Sequence, residues 1–72
     1  MSKKIIEIEG MQCNHCKMTV EKALQSIDGV TNVEVSLENK NAKIDADSSV
    51  QDNKIKEVIE EAGFSVRKIL YN

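Results

Sequence analysis

Residues 4–27 read KIIEIEGMQCNHCKMTVEKALQSI, and within them the apolar period changes from that of a β-strand to that of an α-helix. At the start, Ile6 and Ile8 alternate with glutamates, which predicts a strand through residues 3–9. From about Cys16 onward, apolar residues recur at the i, i+3, i+4 and i+7 spacing of one helix face. That set consists of Val20, Ala23, Leu24 and Ile27. The stretch therefore predicts a strand followed closely by an amphipathic helix.

The rest of the chain continues with the same two kinds of element. Alternating apolar residues predict strands at 30–37 and 42–47, and the polar segment 38–41 between them predicts a hairpin. Helical spacing returns at 55–62, and a final strand is expected at 64–70. The predicted order is therefore β-α-β-β-α-β.

The final strand has mixed alternation, and the pattern places Phe64 and Val66 on the face opposite Ile69. Helix, glycine and strand follow one another twice in the chain, at 27–30 and again at 61–64. Two βα units in this order predict an α+β fold of the ferredoxin-like type. In that fold a four-stranded antiparallel sheet carries both helices on one face.

The size and composition of the chain exclude several classes of protein. Its 72 residues make one domain, expected to span 1–72. The 10 basic and 12 acidic side chains give a net charge of −2, without the basic footprint of a nucleic-acid binder. Phe64 and Tyr71 are the only aromatic residues, too few for base stacking on a sheet. No apolar run is long enough to cross a bilayer and no secretory signal is present, so we expect a cytoplasmic protein without membrane insertion.

Cys13 and Cys16, the only cysteines, lie where the predicted strand passes into the predicted helix. A helix N-terminus favours negative charge, and a pair of thiolates there suits a soft metal ion. Zinc usually takes three or four protein ligands, whereas cuprous and mercuric ions accept two sulfurs. A dithiol redox protein is the alternative from another class, because Cys-x-x-Cys at a helix start also serves thiol–disulfide exchange. Iron–sulfur clusters need about four cysteines and are excluded.

The segment GMQCNHC, residues 10–16, resembles the Gly-Met-x-Cys-x-x-Cys signature of the heavy-metal-associated domain family. The resemblance continues through Val20, the turn at 28–30 and the segment 62–64. Within the family, the chain is most similar to the small bacterial copper chaperones of the CopZ type, which carry a histidine inside the motif as His15 does here. The resemblance implies a ferredoxin-like domain that binds metal and is not an enzyme.

The resemblance also implies how such a protein works. Cys13 and Cys16 are expected to bind Cu(I) through sulfur, and the chain is expected to dock onto the metal-binding domain of a copper-transporting P-type ATPase. The metal then passes between the two proteins through shared thiolates. A copper-bridged homodimer is a further arrangement that an exposed site of two ligands invites.

The residue Phe64 keeps other identities open. Chaperones of the family often have tyrosine at this position, whereas the metal-binding domains of the ATPases often have phenylalanine. An N-terminal ATPase domain is therefore one alternative. A carrier of Hg(II), Zn(II) or Cd(II) is another, although two sulfurs without an acidic neighbour in the motif favour copper or mercury.

Three residues near the cysteines are expected to support the site. Met11 should pack beneath the loop and hold its shape rather than bind metal. His15 either tunes the neighbouring thiolates or is a solvated loop residue. Phe64 either shields the thiolates from water or is an ordinary core residue, and the family places this position near the site.

Lys17 and Lys22 are expected on the outer face of the first helix. They form either a basic patch for an acidic partner, which would act mainly on the association rate and on selectivity, or an ordinary solvated helix face. Met18 points away from Cys16 along the helix, so we expect it to be exposed rather than a copper ligand.

Overall fold

The computed structural model describes residues 2–71, without the side chain of Ser2, so both end positions of the expected 1–72 domain lie outside it. Four strands and two helices follow one another in the predicted order. They are β1 (Ser2–Glu9), α1 (Asn14–Gln25), β2 (Val30–Ser36), β3 (Asn41–Ala46), α2 (Asp52–Glu61) and β4 (Ser65–Tyr71). Neither helix in this part of the chain is long and apolar enough to cross a bilayer.

All four strands belong to one antiparallel sheet with the order β2-β3-β1-β4. Helices α1 and α2 contact each other and pack together against the sheet. The predicted ferredoxin-like α+β fold, with its β2–β3 hairpin, is confirmed. Because β1 leads into the cysteine loop and β4 starts beside the end of β1, α1 begins and α2 ends at the same end of the domain. We call this end, which includes residues 10–13, the loop end.

The hydrophobic core lies between the sheet and the two helices. The alternation along β1 and the i, i+4 spacing along each helix direct one set of aliphatic side chains toward this layer. The largest fully buried side chains are Ile6, Ile8, Val20, Leu24, Ile44, Ile55 and Ile59. Burial of each contributes about 1.5–3 kcal/mol relative to an exposed position, so the core holds α1 and α2 against the sheet.

The prediction that Ile69 faces away from Val66 is wrong. Ile6 pairs with Ile69 and Ile8 pairs with Val66, so three steps along β4 correspond to two steps along β1. The extra residue makes a β-bulge, which shifts the alternation of the strand by one position. Val66 and Ile69 both pack against the core as a result.

Helix α1 begins at Asn14, so the predicted start at Cys16 is also wrong. Cys13 is the N-cap residue: its backbone is extended, with φ −146° and ψ 169°, and its sulfur accepts the N–H of Cys16 at 3.4 Å. The sulfur takes the place of the serine or aspartate oxygen that caps many helices. The first turn is polar, and apolar periodicity therefore could not detect it.

A polar cluster joins three elements at the end of the domain opposite the loop end. Lys4 is only 6% exposed, and its ammonium donates to the carbonyl of Val50 at 3.1 Å and to Oδ1 of Asp52 at 3.0 Å. The hydroxyl of Tyr71 donates to the other carboxylate oxygen of Asp52. The Lys4 Nζ also lies 5.4 Å from the centroid of the Tyr71 ring. The cluster thus connects β1, the start of α2 and the end of β4.

Acid is expected to weaken this cluster through Asp52. Hydrogen bonds from Tyr71 and then from Lys4 lower the pKa of this carboxyl below its ordinary value of 3.8. A carboxylate with a lowered folded-state pKa stabilises the fold above its unfolded pKa, and this contribution is lost as the pH falls through the folded value. With partial exposure screening the charges, Asp52→Asn should lower the free energy of unfolding by about 1–2 kcal/mol at neutral pH. At an acid pH below this lowered pKa, where the carboxyl is protonated, the difference should nearly vanish.

Urea denaturation of the wild type and the Asp52→Asn variant at both pH values measures this difference. Asp28→Asn is a matched control, because Asp28 is exposed and forms no ion pair within the part of the chain that the structure describes. The same loss of stability at neutral and acid pH would show that the charge of Asp52 is not what stabilises the cluster.

Candidate metal centre

The path of the loop between β1 and α1 is set by Gly10 and Met11. Gly10 has φ +95°, a conformation that glycine adopts without the strain a β-carbon would bring. Met11 is 2% exposed and belongs to the core cluster, so it anchors the loop from below. The next two residues, Gln12 and Cys13, are exposed. The loop therefore presents Cys13 at the surface while one residue of the motif is fixed inside.

The sulfur atoms of Cys13 and Cys16 lie 3.1 Å apart, and both residues are free cysteines. The thiol of Cys13 donates to the sulfur of Cys16. Their surroundings differ, because Cys13 is exposed whereas Cys16 is half-buried in the first turn of α1 and packs against the core. The pair is thus open to solvent on one side and supported by the domain on the other.

Hydrogen bonds at the start of α1 favour the thiolate of Cys16. The backbone N–H of Gln12 has the largest effect and the side chain of Cys13 the next, and together they hold the pKa of the Cys16 thiol below its ordinary value of 9.0 against an opposing effect of burial. The N–H groups of the first helical turn have no carbonyl partner within the helix and also attract negative charge, and that turn contains no acidic residue. Because the thiolate is the form that binds metal, these contacts prepare the site for an ion.

The donor set consists of two sulfurs. Within residues 2–71, no three His, Cys, Asp or Glu side chains come close enough together to hold an ion, so His15 does not complete a three-ligand site. Structural zinc takes four ligands, and catalytic zinc usually takes three together with a water molecule. A soft ion that accepts low coordination fits this pair of sulfurs better than zinc does.

The three residues expected to support the site lie on different sides of it. Met11 lies beneath the loop, inside the core. Phe64 is half-buried against the core, and a β-carbon added at Gly10 would lie 3.5 Å from its Cδ1 atom. His15 is exposed on α1, where its carbonyl accepts the hydroxyl of Thr19 at 3.0 Å. Two of the three therefore support the loop from inside, and the third faces solvent.

The two lysines expected at a docking surface are both on α1. Lys22 is exposed, whereas Lys17, one turn from the start of the helix, is half-buried. Met18 lies on the outer face of the same helix and is 54% exposed. Lys17 therefore lies close to the thiols, whereas Lys22, in the last turn of α1, lies farther from them, and Met18 is an exposed apolar side chain on the same helix.

Sequence reasoning missed the contribution of Gln12. Its backbone N–H has the largest effect on the pKa of the Cys16 thiol. A main-chain donor does not depend on the identity of the side chain, so the sequence does not indicate it. The position of Gln12 directly before the N-cap residue is the one available signal, and it becomes readable only when the helix start is known.

Comparison with known proteins identifies the group to which these features belong. The heavy-metal-associated domain family matches residues 5–65. The copper chaperone CopZ of Staphylococcus aureus (strain MRSA252) is 48% identical over 67 residues, which cover 92% of this chain and 98% of the relative.

Two solved structures share the fold over nearly the whole chain. A CopZ metallochaperone superposes with a TM-score of 0.85 at 45% identity, covering 90% of this chain and 98% of its own. A copper-binding domain from HMA7, a P-type ATPase, superposes with a TM-score of 0.90 at 38% identity, covering 97% and 95%. The similarity to CopZ-type chaperones indicated by the motif is confirmed, and the chain belongs to the heavy-metal-associated domain family.

Proposed function

We propose that this protein is a copper chaperone that binds Cu(I) through Cys13 and Cys16. It delivers the ion to the metal-binding domain of a copper-transporting P-type ATPase in the cytoplasm and catalyses no reaction of its own. The observation that carries the proposal is an accessible pair of sulfurs to which no third ligand is added in residues 2–71. The CopZ relatives support copper as the cargo, and the copper-binding domain of HMA7 supports an ATPase domain as the receiver.

Loading requires a change at the sulfurs themselves. Both thiols lose their protons, and two metal–sulfur bonds form. If the bonds are about as long as a zinc–sulfur bond, roughly 2.3 Å, sulfurs on opposite sides of one ion are separated by about 4.6 Å, but they are 3.1 Å apart in the structure. One side chain must therefore rotate about χ1, and the exposed Cys13 is free to do so.

Release depends on the low coordination number. An incoming thiolate of the receiving domain can attack the two-coordinate ion directly, so a new metal–sulfur bond forms before an old one breaks. The departing sulfur then recovers a proton. A closed site with four ligands would hold the ion against such exchange, whereas an exposed pair permits it.

The remaining site residues have supporting roles in this proposal. Met11 holds the shape of the loop from within the core, and Phe64 excludes water from the inner side of the loop. His15, next to Cys16, adjusts the charge around the thiolates. Lys17 and Lys22 provide a basic surface that accelerates association with an acidic face of the receiving domain.

Metal competition on the reduced protein tests the proposal. Under anaerobic conditions, Cu(I) should displace Zn(II) completely, with a preference of at least about a thousandfold, because two sulfurs satisfy Cu(I) but leave Zn(II) undercoordinated. Native mass spectrometry reports which ion stays bound and in what ratio. Equal retention of Zn(II) and Cu(I) would contradict the proposed cargo.

Two further measurements separate the other candidates. Insulin reduction by the metal-free protein would favour the dithiol redox protein, and we expect none. On an immunoblot of the source cells, a free chaperone should migrate near 8.1 kDa, whereas an ATPase domain should appear in a much larger protein.

A further inference from the structure

The charge of the loaded site depends on the ion that it holds. Two thiolates carry a charge of −2, so the pair of Cys13 and Cys16 has a net charge of −1 with a monovalent ion and no net charge with a divalent one. This difference of one charge between the two complexes is the same whatever the protonation state of the metal-free thiols. A fixed positive charge nearby therefore stabilises the monovalent complex relative to the divalent one.

Lys17 is the only lysine, arginine, aspartate or glutamate in the segment that contains the two cysteines. Residues 10–20 include no other side chain of these four types. The nearest acidic residue that follows is Glu21, one turn farther along α1. The nearest one that precedes is Glu9, whose carboxylate forms an ion pair with Arg67 at 3.1 Å. The formal charge of the segment around the cysteines is therefore positive.

The geometry of α1 brings the side chain of Lys17 toward the cysteines. Its backbone N–H donates to the carbonyl of Cys13 at 3.0 Å, so Lys17 lies one helical turn from the N-cap residue. Residues four apart on a helix have β-carbons about 5–6 Å apart, and helical side chains lean toward the N-terminus. Lys17 is half-buried and forms no ion pair within residues 2–71. Its ammonium group is therefore available to a negative charge at the site.

Other charges at the loop end act on the same site. The start of α1 carries partial positive charge, which adds to the effect of Lys17. Glu60 and Glu61, exposed at the end of α2, act in the opposite sense. They belong to the other helix, and the axes of packed helices are about 8–10 Å apart, whereas Lys17 is within one turn of Cys13. The positive charge of Lys17 is therefore the closer one.

We propose that Lys17 is a specificity-determining residue of the metal site, whose charge favours a monovalent ion over a divalent one. This inference rests on the proposed function, because it concerns the ion that the same two sulfurs hold. A low coordination number disfavours Zn(II), but it does not separate Cu(I) from Hg(II), which also accepts two sulfurs. The charge of Lys17 acts against both divalent ions.

Substitution of Lys17 should change the ratio of the Cu(I) affinity to the Zn(II) affinity. A unit charge about 6 Å away changes such a ratio by about three- to a hundredfold, depending on the effective dielectric constant. Lys17→Gln should lower the ratio at least about threefold and Lys17→Glu at least about tenfold, while Lys17→Arg should keep the wild-type value. Two anaerobic chelator competitions for each variant, one with each ion, give the ratio.

Control measurements separate the charge of Lys17 from net charge and from folding. Lys54→Glu makes the same charge change at the start of α2, at the other end of the domain, and should leave the ratio at its wild-type value. Circular dichroism checks the fold of each variant. In a sulfate salt at an ionic strength of about 1 M, where the Debye length is about 3 Å, the ratios of the variants should approach that of the wild type.

The possible results distinguish this inference from the proposed function. A wild-type ratio in Lys17→Glu overturns the role of Lys17, and so does a ratio in Lys17→Arg as low as that in Lys17→Gln. A lowered ratio that salt does not restore overturns it as well, because the effect would then not be electrostatic. A wild type that does not prefer Cu(I) to Zn(II) overturns the proposed function instead.

Discussion

Replacing both Cys13 and Cys16 with serine should remove tight Cu(I) binding. Serine offers a hard hydroxyl that stays protonated at neutral pH, whereas Cu(I) prefers thiolate sulfur. Because residues 2–71 contain no group of three His, Cys, Asp or Glu side chains that could hold an ion, we expect no second site in this range to replace the pair. We expect an affinity loss of at least about a thousandfold, or about 4 kcal/mol of binding free energy. Competition against a coloured Cu(I) chelator measures it.

The double variant should keep its fold, which makes the binding measurement interpretable. Serine is a good N-cap residue, so the Cys13→Ser substitution leaves an oxygen that can still accept the backbone N–H at position 16. Circular dichroism and urea denaturation check this point. His15→Gln, in the same motif, serves as a comparison and should change the affinity by less than about tenfold, since His15 belongs to no group of three potential metal-binding side chains among residues 2–71. Wild-type affinity in the double variant would place the metal elsewhere.

Gly29→Ala should have the largest effect on stability. Gly29 joins α1 to β2 with φ +98°, where a side chain is strained. A β-carbon there would lie 2.8 Å from Cγ2 of Val50 and 3.2 Å from Cβ of Asp47. The glycine carbonyl also accepts the N–H of Asp47 at 2.8 Å, so the segment cannot move aside freely. We expect a loss of about 2–5 kcal/mol in the free energy of unfolding, enough to unfold much of a small domain.

Gly63→Ala provides the matched control for this substitution. Gly63 has nearly the same φ, +97°, but a β-carbon there would have no neighbour within 4 Å. Only the backbone strain should remain, at about 1–2 kcal/mol. Urea denaturation of both variants gives the difference, which isolates the steric contribution of Val50 and Asp47. Equal losses in the two variants would show that crowding at Gly29 is not important.

The order of the elements could be predicted because it depends on local periodicity. Ile6 and Ile8 are two residues apart on β1, and Val20 and Leu24 are four residues apart on α1. This local spacing places each set on one face of its element, and that face is buried in the core. The same reasoning failed on β4, since the bulge arises from pairing with β1 about sixty residues earlier and no local pattern encodes it.

Long-range polar contacts could also not be predicted from the sequence. Lys4 has the same strand parity as Ile6, but its burial depends on Asp52, which is 48 residues away. A lysine is normally exposed unless it is paired, and the partner becomes visible only in the folded chain. The cluster that joins β1, α2 and β4 therefore had no signature that could be read in advance.

At the metal centre, the sequence identified the side chains but not their surroundings. The spacing of Cys13 and Cys16 was sufficient to indicate a soft metal. The sequence did not reveal that Cys13 is the N-cap residue and that Cys16 lies in the first turn, because the cap is made by a sulfur and the turn is polar. The main-chain donor at Gln12 was equally invisible, since every residue other than proline carries one.

The unequal burial of the two sulfurs predicts an order of steps for the proposed transfer of the ion. Cys13 is exposed to solvent at the N-cap position, whereas Cys16 is half-buried and packs against the hydrophobic core. In the function that we propose, a competing thiolate would therefore reach the ion from the side of Cys13, and we expect the bond to Cys13 to break first. The ion would then stay bound to the sulfur of Cys16 until the receiving domain holds it, and it would not be released into solution.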